Sequence, residues 1–421
     1  MSNIKDSTIP RRSLLKGAMI AGGAGLLGSS SAFGRTVAFA DLKSQGEAAP
    51  SAGTWPSDFD PSTVTPKYDP RATPNPDDPI KVFDLTITDG IHEILPKEEV
   101  SMFLFNNQFP GPLIRVKEGD WVQVNLTNKS FESHTIHWHG VQVPCEMDGV
   151  PLGSQWPVRP NQTFRYLWRA QPAGTHFYHC HVMTGLHATA GLSGPLIIDP
   201  IDDPVMKTFP YTREYIMLLS ELDTNYVRDE MNAMATMGHT MMAMDNNADL
   251  MHEMNGKMMG WFKDKAAFVE SVKNGYIPPY LSSRTGFMRP LQLNYFMING
   301  KPYPMADELA IKTGETIRIR LIGGGFMPHF MHLHGHDFWH VCQDGSPLQN
   351  PIRHNTIPIF PGATSDIIVH GTNPGHWHFH DHSDFCTNNN GVQPGGMMTM
   401  LMYEDAAEHG FNFQQVIQLS S

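Results

Sequence analysis

Four histidine pairs of the form His-x-His are the residues of this sequence best suited to chemistry. They stand in HTIHWHG (His137/His139), FYHCHV (His179/His181), HFMHLHGH (His332/His334) and HFHDHSD (His380/His382). Because side chains at positions i and i+2 of a β-strand point to the same face, each pair can direct two imidazoles at one metal cluster. Imidazole nitrogens suit copper, zinc, iron and nickel. Four such pairs exceed what random spacing of 22 histidines would give, and we therefore predict a metal centre.

The residue in the middle of the late pair differs between the two halves of the chain. It is Cys180 in HCH and Asp381 in HDH. His134 stands upstream of the thiol in the first motif, and His187 follows it by seven residues. A His, Cys, His set with a weak or absent axial ligand describes a blue copper site. Leu192 occupies the place where a weak methionine ligand often stands, and an apolar side chain there is expected to raise the reduction potential.

Short β-type runs separated by turn residues must position these motifs. Such runs fill residues 81–204 and recur through residues 205–421, and their regular spacing predicts an all-β chain of two antiparallel Greek-key β-sandwiches. GDWVQVNLTN before SHTIHWHG parallels GETIRIRLIG before PHFMHLHG, and PAGTHFYHCH parallels NPGHWHFHDH. The two series indicate a diverged internal repeat, in which each half supplies one early and one late histidine motif.

The N-terminus is typical of an exported protein. Residues 1–40 contain the paired arginines of PRRSLLKG, a short apolar run and the small-x-small sequence Ala38-Phe39-Ala40. This segment resembles a twin-arginine signal, which implies the bacterial periplasm. Residues 41–80 are rich in proline, serine, aspartate and glycine, and are expected to form an extended arm. No other segment is long and apolar enough to span a membrane.

Composition and charge limit the partners. The chain is 40% hydrophobic and 17% charged, with a formal net charge of −12, so a folded core is expected. Removing residues 1–40 leaves 25 basic and 41 acidic residues, a net charge of −16. Such a surface repels nucleic acid and anionic membranes and attracts cations, although solubility alone also explains it. The four cysteines are too few for a disulfide scaffold, and a bond between Cys145 and Cys386 remains open.

HWHG, HCH, HLHGH and the flanking GPLII resemble the motifs of multicopper oxidases, over both halves of the chain. The resemblance implies two cupredoxin-like domains and four coppers per chain. His134, Cys180 and His187 would hold the type-1 copper, His137 and His332 the type-2 copper. The remaining six histidines of the pairs would hold the type-3 copper pair. Because Asp381 replaces the thiolate, with His329 as a possible remnant first ligand, the pattern is similar to two-domain oxidases with blue copper in domain one only. Those proteins form homotrimers whose clusters lie between domain one of one chain and domain two of the next.

The resemblance implies an enzyme that couples one-electron oxidation of phenols or Cu(I) to the four-electron reduction of dioxygen to water. Cys180 would carry electrons toward the cluster. Asp148 matches an acidic position that relays protons in this family, although a turn residue before Gly149 is the alternative. Asp381 and Asp384 are weaker candidates for the relay. Other histidines are left as packing residues (His336 and His340) or without a role (His176, His376 and His378).

An insertion at residues 227–291 carries ten methionines between Met231 and Met259. Its composition predicts a helix, and its thioethers suit either Cu(I) binding or adaptable packing. Two other functions stay open. One is a periplasmic copper-binding or tolerance protein with weak oxidase activity. The other is a copper nitrite reductase, whose catalytic copper needs only three histidines where this chain offers eight. The sequence does not identify the physiological reductant.

Overall fold

A computed structural model describes residues 64–151, 153–182, 184–229, 231–232 and 292–412. These residues are mostly β-structure. The strands, β1 to β19 in chain order, are Ile80–Leu95, Glu98–Phe105, Ile114–Lys117, Trp121–Asn128, His137–His139, Thr163–Arg169, Gly174–His179, Ser193–Asp199, Arg213–Leu222, Tyr295–Ile298, Leu309–Ile311, Thr316–Gly323, His329–Leu333, Phe338–Gln343, Ser346–His354, Thr356–Ile359, Thr364–His370, His376–Asp381 and Met398–Tyr403. Short α-helices, among them α1 (Thr184–His187) and α2 (Pro204–Thr208), and single-turn 3-10 helices at Cys145–Met147, Asp384–Cys386 and Ala406–His409 join them. Residues 224–229 and 231–232 are also helical.

The strands form four sheets, two in each half of the chain. In the first half the orders are β2-β1-β4-β6 and β3-β8-β7-β5. In the second half they are β10-β9-β12-β17-β14-β15 and β11-β19-β18-β13-β16. The predicted all-β sandwich class is confirmed. The prediction of antiparallel sandwiches holds for most strand pairs, but each sheet also contains one parallel pair (β1/β4, β3/β8, β9/β12 and β11/β19). Strands that cross between the two sheets of a sandwich return in the direction of an earlier strand, and local sequence does not record that connection.

Alternation along β4 shows why these residues form strands. Val122, Val124 and Leu126 are fully buried, whereas Gln123 and Asn125 between them are partly exposed. The buried face packs in one hydrophobic cluster with residues of β6 and β7. This period of two is the signature of a strand with one face toward a core.

The internal repeat is visible in the pairing of the histidine strands. β5 pairs antiparallel with β7, and β13 pairs antiparallel with β18. His137 lies opposite His179, and His332 lies opposite His380. The first histidine of each early motif therefore faces the first histidine of the late motif, in the same register in both halves.

Several predicted segments fall outside the described residues. They are the signal at residues 1–40, most of the arm at 41–80, and nearly all of the insertion at 227–291. Met231 is described, and it is buried in the core of the first half. Within the described part of the chain, no helix has the length and apolar character needed to cross a bilayer.

A buried polar network joins the two halves. The Thr175 hydroxyl on β7 donates to the Asp366 carboxylate on β17 over 2.7 Å and accepts from the Arg320 guanidinium on β12 over 2.7 Å. Arg318 also pairs with Asp366, and all four residues are at most 3% exposed. Burial alone would raise the pKa of Asp366, but the two guanidinium groups outweigh it and hold the pKa below its ordinary value.

Replacing Asp366 with asparagine would leave two buried guanidinium groups short of negative charge. We expect the free energy of unfolding to fall by about 3–5 kcal/mol, measured by chemical denaturation. Asp202→Asn is the control, because Asp202 is 69% exposed in its pair with Lys207 and exposed pairs contribute little. Equal effects of the two substitutions would contradict a stabilising role for the network.

Candidate metal centres

The first centre joins His134, Cys180 and His187. Nδ1 of each imidazole lies 3.5 Å from the Cys180 Sγ, and the two ring centroids are 4.6 Å apart. All three residues are fully buried. The Phe103 ring packs edge-on against both imidazoles at centroid distances of 5.0 and 4.8 Å.

Backbone pairing holds the three residues of this first centre in place. His134 exchanges both backbone hydrogen bonds with Val158. The Cys180 N–H donates to the Leu192 carbonyl, and the Leu192 N–H donates to the His187 carbonyl at the end of α1. Leu192 is fully buried beside the set. The one-turn helix α1 explains how His187 reaches the thiol from seven residues downstream.

The residues of the first centre fit a copper ion. Burial raises the pKa of the Cys180 thiol to about 12, lowers that of His187 to about 3, and lowers that of His134 well below its ordinary value. The imidazoles are therefore neutral at pH 7 and carry free lone pairs. Metal–nitrogen and metal–sulfur bonds of roughly 2.0 and 2.3 Å at a tetrahedral angle separate the two ligand atoms by about 3.5 Å, which is the separation seen here. Two imidazoles and a thiolate are the donor set of blue copper.

The second group of imidazoles surrounds His137. Its ring centroid lies 5.7 Å from that of His139, 5.2 Å from His179 and 5.3 Å from His181. The His137 Nδ1–H donates to the backbone carbonyl of Asp148 over 2.8 Å, so its Nε2 is left to face the other rings. Burial and neighbouring imidazoles lower the pKa of His179 to about 3, and shift those of His139 and His181 downward.

The third group repeats this arrangement in the second half. The ring centroid of His332 lies 5.0 Å from that of His334, 5.9 Å from His380 and 5.2 Å from His382. Its Nδ1–H donates to the Asn355 carbonyl over 2.8 Å. Nε2 of His334 and Nε2 of His380 approach to 3.0 Å. Two neutral imidazoles that converge in this way fit a shared cation.

Ring contacts among the described residues run within each group of four and never between the two groups. Most of these imidazoles are half-buried, and His382 is exposed. A single chain thus presents two separate half-sets of four.

The expectation that both histidines of a pair lie on one strand, and so on one face of it, holds fully for His137 and His139. In the other three pairs the strand ends within the pair, at His179, Leu333 or Asp381.

Asp148 lies directly beside His137. It follows the 3-10 helix Cys145–Met147, and its Oδ1 is 3.3 Å from the His137 Nδ1. Its side chain is 34% exposed. The residue therefore joins the second group to solvent, and its backbone carbonyl orients the ring.

The place in the second half that corresponds to the first centre contains a different set. His329 Nδ1 lies 2.6 Å from Asp381 Oδ2, and His329 Nε2 lies 2.6 Å from Glu221 Oε1, with all three side chains fully buried. Cys386 lies within 4.8 Å of the same atoms. Burial alone would lower the pKa of His329, but its hydrogen bonds to Asp381, Cys386 and Glu221 raise the pKa to about 11. Sequence reasoning missed Glu221 entirely. Cys386 lies only five residues after Asp381 in the sequence, and this short spacing is the signal that could have linked the two residues.

The remaining histidines make protein contacts. His176 is buried and donates from Nε2 to the Pro172 carbonyl, and His340 donates to the Cys342 carbonyl. His336 donates from Nδ1 to the His334 carbonyl and bonds through Nε2 to the Tyr403 hydroxyl. His378 is exposed, 5.6 Å from the ring of His334. All four cysteines are free, so the open alternative of a Cys145–Cys386 disulfide is wrong.

Comparison with known proteins points to one family. Sequence models of the multicopper oxidases match residues 86–203 and 276–405. The crystal structure of a blue copper oxidase from Nitrosomonas europaea shares 34% identity with a TM-score of 0.62, over 80% of this chain and 90% of that chain. The copper resistance protein A homolog of Pseudomonas syringae pv. tomato is 29% identical over 71% of this chain and 49% of its own length. This chain therefore spans about half the length of the curated relatives it matches. A copper nitrite reductase from Nitrosomonas europaea, at 20% identity and a TM-score of 0.53 over 77% of this chain and 95% of that chain, shares the fold alone.

Burial lowers the pKa of His176 to about 4. Its pKa in the unfolded chain is about 6.5, so the unfolded state binds the extra proton first as pH falls. The stability that depends on neutral His176 is complete above pH 6.5 and is lost toward pH 4. We expect His176→Gln to remove on the order of 3 kcal/mol of this pH dependence, measured by denaturation of the metal-free protein and the variant at pH 7 and pH 4. Parallel stability curves for the two proteins would show that His176 titrates normally.

Proposed function

Because the chain belongs to the multicopper oxidase family, we propose that it couples one-electron oxidation of a reductant to the reduction of dioxygen to water. The observation that carries this proposal is the buried set of His134, Cys180 and His187, covalently continuous with His179 and His181. We assign this set to the type-1 copper. We assign His137 and His332 to the type-2 copper, and the other six histidines of the four pairs to the type-3 pair, four coppers per chain.

Copper, when bound, supplies the one-electron chemistry. The protein supplies a covalent route for the electrons and holds the ligand side chains in position. Cys180 is one peptide unit from His179 and one from His181, and its side chain is buried while the His181 ring is partly exposed. The covalent chain between the thiolate and these imidazoles is therefore short. The apolar cover of Phe103 and Leu192 excludes water from the first centre.

Reduction of one dioxygen to two waters consumes four electrons and four protons. Asp148 is the residue we assign to proton delivery, because its carboxylate touches His137 and reaches solvent. The carboxylate can accept a proton from solvent on the Oδ1 that faces the second group. Its backbone carbonyl meanwhile fixes the His137 ring, so orientation and proton supply come from one residue.

We propose that the oxygen site forms between chains. Each chain presents its two half-sets separately, and every residue of the two half-sets except the buried His179 is at least partly exposed. With residues 81–204 and 205–421 as the two domains, the first half-set of one subunit would meet the second half-set of the next. Such a contact joins two different surfaces, and a ring of three subunits closes it.

The reductant we propose is a phenol or Cu(I). Several relatives are named laccase or copper resistance protein, which supports both classes. Of the methionines in the insertion, Met231 is buried in the core, so it serves packing and leaves the later residues as the thioether donors. The twin-arginine motif at Arg11 and Arg12 supports export to the periplasm.

Copper tolerance without efficient turnover is the second candidate, favoured by the names of the copper resistance relatives. Nitrite reduction is less well supported, because the nitrite reductase resemblance is one of fold and the chain offers two groups of four imidazoles. Oxygen consumption separates the oxidase from both.

Cys180→Ser tests the oxidase proposal. Serine cannot supply the thiolate of a blue copper site, so we expect loss of the intense blue absorbance, loss of oxygen uptake and retention of the other three coppers. Copper analysis, absorption spectroscopy and an oxygen electrode measure the three quantities. Oxygen uptake that survives in the variant would refute the proposed electron path.

Mixed assembly tests the location of the oxygen site. His139→Ala and His334→Ala each damage one half-set, and each homotrimer should be inactive. Random mixed trimers should recover about a quarter of the intact sites, because a site then combines the sound halves of two neighbouring subunits. The measurement is oxygen uptake after the two variants are dissociated and reassembled together. A site built within a single chain would give no recovery.

A further inference from the structure

We propose that Glu221, His329 and Asp381 form a metal-free, hydrogen-bonded replacement for a second blue copper site, and that this triad positions the cluster ligands His380 and His382. The inference rests on the proposed function for the role of those two ligands. It concerns a buried group of side chains that the electron path does not use.

The internal repeat places this triad where the first half has its thiolate centre. His329 precedes His332 by three residues, as His134 precedes His137, and Asp381 stands between two histidines, as Cys180 does. The registers of β5 with β7 and of β13 with β18 agree at the paired histidines. His329 and Asp381 therefore occupy the places of a nitrogen ligand and of the thiolate.

Their separation differs from that of the first centre. His134 Nδ1 and Cys180 Sγ are 3.5 Å apart, whereas His329 Nδ1 and Asp381 Oδ2 are 2.6 Å apart. Nitrogen and oxygen ligands of one metal ion, at bonds of roughly 2.1 Å and a tetrahedral angle, would be held about 3.4 Å apart. A separation of 2.6 Å is instead that of a short charge-assisted hydrogen bond. In this geometry the Nδ1–H of His329 donates a hydrogen bond to the Asp381 carboxylate.

Glu221 completes the triad from the opposite side of the ring. Its Oε1 lies 2.6 Å from His329 Nε2. Its carboxylate also accepts the backbone N–H groups of Phe326 and Met327 over 2.9 and 3.0 Å. A Cβ at Gly325 would lie 1.9 Å from Glu221 Oε2, so only glycine lets the loop approach this closely. Both ring nitrogens of His329 are therefore engaged with carboxylates that the backbone holds in place.

The other oxygen of Asp381 connects the triad to the cluster ligands. Asp381 Oδ1 accepts the N–H of Ser383 over 2.9 Å and that of Phe330 over 3.2 Å. The Phe330 carbonyl accepts the N–H of His382 over 2.8 Å. The Asp381 carbonyl accepts the Nδ1–H of His380 over 2.7 Å, which turns its Nε2 toward His334. Fixing the Asp381 side chain thus fixes the backbone that carries both ligands.

Asp381→Asn and Glu221→Gln test the positioning role, since each places an amide N–H₂ where the carboxylate receives only donors. We expect the blue absorbance to stay within error and its anaerobic bleaching by a phenol to stay within about twofold. We expect kcat for oxygen uptake to fall at least about tenfold, as outer ligand partners typically require. The electron paramagnetic resonance signal of the type-2 copper should also change. Asp307→Asn is the control, because the Asp307 side chain is 75% exposed and its carboxylate pairs with Lys301 at the surface.

The other outcomes would overturn the positioning role, the proposed function or the metal-free triad. Unchanged kcat and an unchanged resonance signal in a folded, blue Glu221→Gln protein would overturn the positioning role, even if Asp381→Asn failed to fold. A wild-type protein without blue absorbance or oxygen uptake would refute the proposed function instead. Co²⁺ added to the copper-loaded wild-type protein should add no thiolate-to-cobalt absorption to the existing blue band. Such a band, abolished by Cys386→Ser, would show a metal site at His329, Asp381 and Cys386 and would overturn the metal-free triad.

Discussion

The alternation of side chains along a strand is the constraint on which both metal-binding halves depend. In HCH and HDH the middle residue is buried at or just beyond the end of its strand. Cys180 and Asp381 are fully buried and His179 is nearly so, whereas His181, His380 and His382 reach the surface to different degrees. A buried centre and a partly exposed cluster can therefore be adjacent in sequence, with side chains on opposite sides of the backbone where the strand ends. The single peptide unit between them couples the two without any further connecting residue.

The pKa of a buried histidine is lowered in the first half of the chain, at His134 and His187, and raised in the second half, at His329. Around Cys180, no carboxylate of the described residues contacts the imidazoles, so desolvation favours neutral rings with free lone pairs. Around Asp381 two carboxylates surround the ring of His329, and their hydrogen bonds outweigh desolvation. The neutral imidazoles and the thiol around Cys180 suit a soft cation, whereas the carboxylates around His329 favour a protonated imidazole. The two centres differ by a carboxylate in place of the thiol, and by Glu221, which joins His329 from a distant strand.

The sequence predicted those parts of the molecule whose geometry is local. The four His-x-His pairs, and the His134, Cys180 and His187 set, follow from short spacings on strands and one helical turn. Glu221 could not be found in this way, because it lies 108 residues from His329 in sequence. β15 has no strand signal of its own in the sequence, because its residues are largely exposed and include two prolines, which gives no apolar alternation. The parallel pairs were missed because crossovers between sheets leave no local signal, although the repeat located the equivalent strands correctly.

The difference between the two halves also decides the direction of electron flow. A copper thiolate centre changes its charge by one unit with little rearrangement, whereas carboxylates and imidazolium have no accessible redox state. Under the proposed assignment of the type-1 copper to His134, Cys180 and His187, electrons would reach the cluster from the first half of a chain. In the proposed assembly, where the cluster lies between subunits, each oxygen site would then have one electron donor, in the subunit that supplies His179 and His181. The second half would contribute four imidazoles and a buried network of fixed charge, and would hold the ligand geometry while the first half changes oxidation state.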